Sequence, residues 1–325
     1  MKKVLKNIII IAELIIIIIL SVAFAVYYKK SNKSVPAMGI ADTKENSEEI
    51  SKLSDKDIEE KVKENYYNLS GKKILLEDGT YGEIWIPVLE NVPAFSKDKE
   101  MIKTRNGRKY YVDNSKITSI LGVDVSVHQD DIDWEKVKES GVDFAMVRLG
   151  YRGYGTGKAE LDENYKENII NARAAGLDVG VYFFSQAITA EEAVEEANIV
   201  IDSIEGLDVN YPVVFDWEII SGDSARTDNV SVDILTDSCV AFCETVKNAG
   251  YTPMIYQNKR TSIFKLDLNR LTDYDFWLAE YNYEPSYYYD FDMWQYTSSG
   301  RVPGIKGEVD LNISFKDYSI KNTDE

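Results

Sequence analysis

The 325-residue chain has one histidine, His128, and two cysteines. A Ser-His-Asp or Cys-His mechanism would have to run through His128, and a metal site built from several histidines is excluded. Cys239 and Cys243 stand four apart in a segment that reads as a helix, Val232 to Ala249. Successive turns of one helix give poor disulfide geometry, so two half-buried free thiols are expected. Positive charge is also scarce: 37 Lys and Arg face 55 Asp and Glu, a net charge of −18. Residues 1–30 carry Lys2, Lys3, Lys6, Lys29 and Lys30 against Glu13, a balance of +4, so the remainder stands at −22. A surface that acidic argues against nucleic acid as a partner and gives no electrostatic help in holding an anionic polymer. Nothing in the pattern asks for a cofactor or a metal.

What the chain does have begins with "MKKVLKNIIIIAELIIIIILSVAFAVYYKK". Ile8 to Tyr28 is apolar apart from Glu13, and as a helix it would span roughly 30 Å, one bilayer core. Flanking lysines and the Tyr27–Tyr28 pair suit an interface. Two readings stand: an uncleaved transmembrane anchor, favoured by the length, and a signal peptide cut near Ala23-Phe24-Ala25. Lysines balance at the two ends, so charge does not orient the segment. With either reading the rest is expected outside the cytoplasm, at the cell membrane or secreted.

Residues 31–70 form an acidic linker or stalk in which Ile50, Leu53, Ile58, Val62 and Tyr66 recur at helical spacing. Residues 71–118 read as a small β module: "ILLEDGTYGEIWI" and "MIKTRNGRKYYV" each place two strand-like runs around Asp78-Gly79 or Asn106-Gly107, dipeptides suited to two-residue hairpin turns. Residues 119–320 alternate strands with helices, and 321–325 are a tail. Eight strand candidates follow one another: 121–126, 144–149, 179–185, 212–219, 252–257, 276–281, 293–296 and 308–313. Helices fit at 162–175, 190–204 and 232–249, with Gly176 and Gly250 where helix ends belong. Apolar strands alternating with helices imply a parallel sheet, and eight of them imply an irregular (β/α)8-like TIM barrel.

In such a barrel, chemistry gathers at the C-terminal ends of strands. The first strand, "LGVDVSVHQ", carries Asp124; the fourth, "YPVVFDWEI", carries Asp216 and Glu218; the last, "GEVDLN", carries Asp310. Residues i and i+2 of a strand share a face, so Asp216 and Glu218 would point together into the mouth while Trp217 points away. Two close carboxylates repel, so one pKa should rise, and a carboxyl kept protonated is what glycosidic cleavage needs. An acid-x-acid triplet alone is weak, since roughly nine are expected by chance in a chain this acidic. The apolar run before it adds weight: no basic residue stands between Asn210 and Ile220, so burying both acids would be costly without a function.

The stretches "GVDVSVHQDDIDWEKVKESGVDFAMVRLGY", "AGLDVGVYFFS", "PVVFDWEI", "FWLAEY", "WQY" and "VDLN" resemble, in order over residues 119–318, glycoside hydrolase family 25, the lysozyme-type muramidases. The resemblance implies a peptidoglycan hydrolase cutting between N-acetylmuramic acid and N-acetylglucosamine, with Glu218 as general acid and Asp216, Asp124 and Asp310 as its companions. It implies retention of anomeric configuration and leaves open whether a carboxylate or the substrate acetamido group attacks. Tyr182 matches a groove tyrosine, and Trp277, Tyr281 and Trp294 are candidates for sugar stacking, with core packing the competing role for each. His128 is expected at the rim. Two other functions fit the same residues: a glycan-binding scaffold for wall assembly, and a hydrolase of a related amino-sugar polymer.

Overall fold

The computed structural model describes residues 72–78 and 82–320. The apolar segment 8–28, the 31–70 stretch and the tail 321–325 lie outside these residues.

Strands β1 (Lys73–Asp78) and β2 (Gly82–Pro87) pair antiparallel. Strands β3 (Ile102–Arg105), β4 (Arg108–Asp113) and β5 (Lys116–Ile117) form a second small antiparallel sheet, β3 turning into β4 through Asn106-Gly107. The remaining elements are β6 (Ile120–Val125), α1 (Trp134–Glu139), β7 (Phe144–Arg152), β8 (Ala159–Leu161), α2 (Tyr165–Ala174), β9 (Asp178–Ser185), α3 (Ala190–Ile204), β10 (Val213–Trp217), α4 (Val232–Asn248), β11 (Pro253–Asn258), α5 (Lys259–Lys265), β12 (Asp275–Ala279), β13 (Met293–Gly300) and β14 (Val309–Ser314).

Eight strands close into a barrel in the order β6-β14-β13-β12-β11-β10-β9-β7, with β7 pairing back onto β6, while β8 extends the far end of β7. All eight strand candidates are strands, but the architecture is not a (β/α)8 TIM barrel. Helices accompany only the first five crossings, and none lies between β12 and β13 or between β13 and β14. The last strand also runs antiparallel to both its neighbours, β13 and β6. The reason is length: only Arg301 to Glu308 joins β13 to β14, whereas a parallel return needs a crossover of a dozen or more residues. The transmembrane helix expected ahead of the barrel is not found among the described residues. Among the described residues no helix is long and apolar enough to cross a membrane, and segment 8–28 lies outside them.

The alternation of side chains sorts the core into two compartments. Phe144, Met146, Val214, Met254, Trp277 and Met293 fill the barrel interior. Their strand neighbours, including Val147, Phe215, Leu278 and Trp294, pack outward with the helices. Gly122 belongs to the interior set because the Phe144 ring occupies its side-chain space; a Cβ there would lie 2.2 Å from the ring. Helices α2 and α4 stop where Gly176 and Gly250 take φ of 84° and 87°, a region open to glycine at little cost. The interior is apolar at the floor and turns polar towards the C-terminal ends of the parallel strands.

Candidate active site

That polar end is a cavity of about 300 Å³, the low end of the range for ligand sites. Asp124, Asp216, Glu218 and Asp310 all line it, so the structure brings together the four acids from three strands. Asp216 arrives from β10 and Glu218 from the residue just after it, on the same parity, while Trp217 is buried outside the barrel. Asp124 and Asp310 face each other across the antiparallel β6–β14 pair.

Asp124 is the most elaborately held. Its Oδ2 accepts from Gln295 Nε2 at 2.9 Å and from Asn312 Nδ2 at 2.7 Å. Each amide is oriented in turn. Tyr256 Oη and Tyr281 Oη donate to Gln295 Oε1 at 2.8 and 2.9 Å, and Trp277 Nε1 donates to Asn312 Oδ1 at 2.9 Å. Burial, followed by the negative charge of Asp310, raises the Asp124 pKa well above the carboxylate range, against the pull of the two amides. Burial lifts Asp310 to about 6.

On the β10 side, burial and then the charges of Glu218 and Asp124 raise Asp216, with Arg148 opposing. Its Oδ1 has no hydrogen-bond partner within the protein. Glu218 is raised by burial first and by the charge of Asp310 second. The backbone around it is pinned: Gln186 Nε2 donates to the Glu218 carbonyl at 2.8 Å, and Gln257 Nε2 to the Trp217 carbonyl at 2.7 Å. The site therefore holds four carboxyls that resist ionisation in unequal degree, which lets one keep a proton near neutrality while others carry charge.

This geometry belongs to a known family. The model of glycosyl hydrolases family 25 matches residues 123–305, more than half of the chain. The chain belongs to glycosyl hydrolases family 25. Among its relatives, the autolytic lysozyme of Clostridium acetobutylicum is 28% identical over 193 residues, 59% of this chain and 54% of that protein. The chain thus spans about half the length of that relative. The modular autolysin LytC of Streptococcus pneumoniae, solved in complex with a synthetic peptidoglycan ligand, is 25% identical with a TM-score of 0.51, covering 75% of this chain and 56% of that one. A family 25 glycosyl hydrolase from Bacillus anthracis shares the fold at 22% identity and a TM-score of 0.51, over 66% of this chain and 96% of that one.

Of the residues expected to bind sugar, Tyr182, Trp277 and Tyr281 line the family 25 cavity. Tyr281 is 55% exposed at its edge, whereas Trp277 is buried beneath it. Trp294 is not among the lining residues. It is fully buried on the outward face of β13 and donates from Nε1 to the Glu280 carbonyl at 2.8 Å. His128 lines the cavity from the turn after β6, as expected of a rim residue. Sequence reading missed Arg148, Tyr256, Gln295 and Asn312. The signal was present: each stands two residues from a barrel-facing side chain of its own strand, Arg148 from Met146, Tyr256 from Met254, Gln295 from Met293 and Asn312 from Asp310. Arg148 is held by Asp162, its Nε and Nη2 both 2.8 Å from Asp162 Oδ2.

Proposed function

We propose that the chain is a muramidase that cleaves the β-1,4 bond between N-acetylmuramic acid and N-acetylglucosamine in peptidoglycan. The observation that carries this reading is the convergence of Asp124, Asp216, Glu218 and Asp310 on one cavity of a family 25 fold. The relatives named as an autolytic lysozyme and as an autolysin with a peptidoglycan ligand support the substrate class.

Glu218 acts as the general acid. Burial and Asp310 hold its proton, and it donates that proton to the leaving glycosidic oxygen. As the bond breaks, positive charge grows on the sugar ring, and the carboxylates of the same cavity are already in place to stabilise it without reorganisation. Glu218→Gln keeps the shape and removes the proton, so turnover should fall by about 10² or more with the fold intact. Zymography on peptidoglycan reads the loss, and mass spectrometry of the wild-type products should show reducing muramic acid ends. Near-wild-type turnover of Glu218→Gln would remove Glu218 from this role. Binding without cleavage by the wild type would make the chain a wall scaffold, and reducing glucosamine ends would point to a related polymer.

The sequence of residues 8–28 supports a location at the cell membrane with the barrel outside. The chain should fractionate with membranes and be shaved by external protease. Recovery of a soluble form beginning near Val26 would instead indicate a cleaved signal.

A further inference from the structure

The 72–117 segment lies ahead of the residues matched by the family, yet it grips one edge of the substrate cavity. Between β12 and β13 the chain runs through a loop, Glu280 to Asp292, that carries Tyr281 at the cavity edge and Tyr283 two residues on. Tyr283 is 76% exposed, the most exposed of the large apolar or aromatic side chains among the described residues.

Two anchors hold this loop. The first is Glu280, a buried carboxylate that accepts from Asn282 Nδ2 at 3.0 Å, Ser286 N at 2.8 Å and Tyr287 N at 3.1 Å, and from the Ser286 hydroxyl. The second is Lys109, from β4. Its Nζ donates to the Tyr283 carbonyl and lies 4.7 Å from the centre of the Tyr283 ring. The same ammonium stands 5.3 Å from the Trp294 ring and 6.0 Å from the Tyr296 ring, so it sits in a box of three aromatics. Burial pulls its pKa down, with Glu284 opposing. Farther along the loop, Phe95 stacks on Phe291 at 4.2 Å and its amide donates to the Tyr288 carbonyl at 2.9 Å.

A buried lysine that braces a tyrosine ring, while that ring stays open to solvent two residues along the loop from the cavity-lining Tyr281, needs a reason. A free surface tyrosine would need no such brace. Sugar rings present a face of C–H groups, and a fixed aromatic face receives it well because little side-chain entropy is lost on contact. We propose that Tyr283, braced by Lys109, is a glycan-stacking position beyond the acid cavity, so that β4 lengthens the substrate groove past what the barrel alone supplies. The inference rests on the reading of the chain as acting on peptidoglycan glycan strands.

The test uses the full chain with size-fractionated, soluble glycan strands, measuring both affinity and the KM and kcat of cleavage. Tyr283→Ala should weaken binding and raise KM on long strands by about 3- to 10-fold with kcat unchanged. It should leave the shortest cleavable oligosaccharides unaffected. Tyr283→Phe keeps the ring and should match the wild type. Lys109→Met should move KM in the same direction as Tyr283→Ala, Lys109→Arg should restore most of the difference, and a melting curve separates this effect from unfolding. Unchanged affinity of Tyr283→Ala for long strands would overturn the inference, as would equal losses on long and short substrates. If the wild type binds long strands with this dependence on Tyr283 but cleaves none, the hydrolase reading falls and the stacking position stands. If it binds no glycan strand, both fall.

Discussion

Asp310 links the titrations of two of the other three acids in the site. Its charge acts on Asp124 and on Glu218, raising both. Asp310→Asn removes that repulsion, so the Glu218 pKa should move down towards the ordinary carboxylate range. A general acid works while protonated, so the alkaline limb of the pH–rate profile should move to lower pH. Where turnover is too low to follow, carbon NMR of the Glu218 carboxyl gives the same titration. An unshifted limb and an unshifted resonance would show that burial alone sets the Glu218 pKa. The four acids were legible in the sequence because carboxylates on inward parity at the ends of apolar strands are costly unless used. Their supporting partners were not. The parity that joined Asp216 to Glu218 also applies to "WQY", where Trp294 and Gln295 cannot both face inward. An aromatic side chain drew attention to the wrong one of the two. Gln295 faces Asp124, and Trp294 backs the Lys109 box.

Among the elements, strands were easier to recognise than their directions. Buried parallel strands announce themselves as apolar runs, and each of the eight did so. Direction is not written in a run; it is written in the length of the connection. The bounds read from sequence left Thr297 to Gly307 between the last two strands, at the margin of what a parallel return needs. The same bounds left 282–292, equally short, before the strand ahead of it, and that strand is parallel to its predecessor, so only the observed ends, with eight residues before β14 and thirteen before β13, separate the two cases. The helices missed, α1 and α5, have six and seven residues, too short for a periodic stripe. The floor of the barrel depends on one element passing close beneath another. A methyl group at Gly122 would meet the Phe144 ring, so Gly122→Ala should cost about 1–3 kcal/mol of stability in urea unfolding. Phe144→Leu in the same chain should recover part of the loss. An unchanged midpoint would mean that the floor yields more easily than its packing implies.

For the molecule as a whole, the charge of −18 has a consequence for how it meets its substrate. A wall that carries anionic groups repels such a protein, and repulsion between exposed charges weakens as the Debye length shrinks with salt. Cleavage of intact wall by a form beginning near Val35 should therefore rise as salt increases from low levels, while cleavage of short neutral oligosaccharides should change little. A fall in wall cleavage with added salt would show that local basic groups, not the net charge, govern the encounter. The antiparallel last strand shapes attachment in a different way. Because β14 carries Asp310 at the mouth, one residue from its start, and ends at the floor with Ser314 opposite Ile120, the chain both enters and leaves the barrel strands on the side away from the acids. A parallel eighth strand would have delivered the polypeptide at the mouth and required a further helix to carry it clear. The reversal sends the chain that follows β14 away from the mouth, so a reporter domain or an affinity handle joined after Ile320 starts from the side opposite the acids.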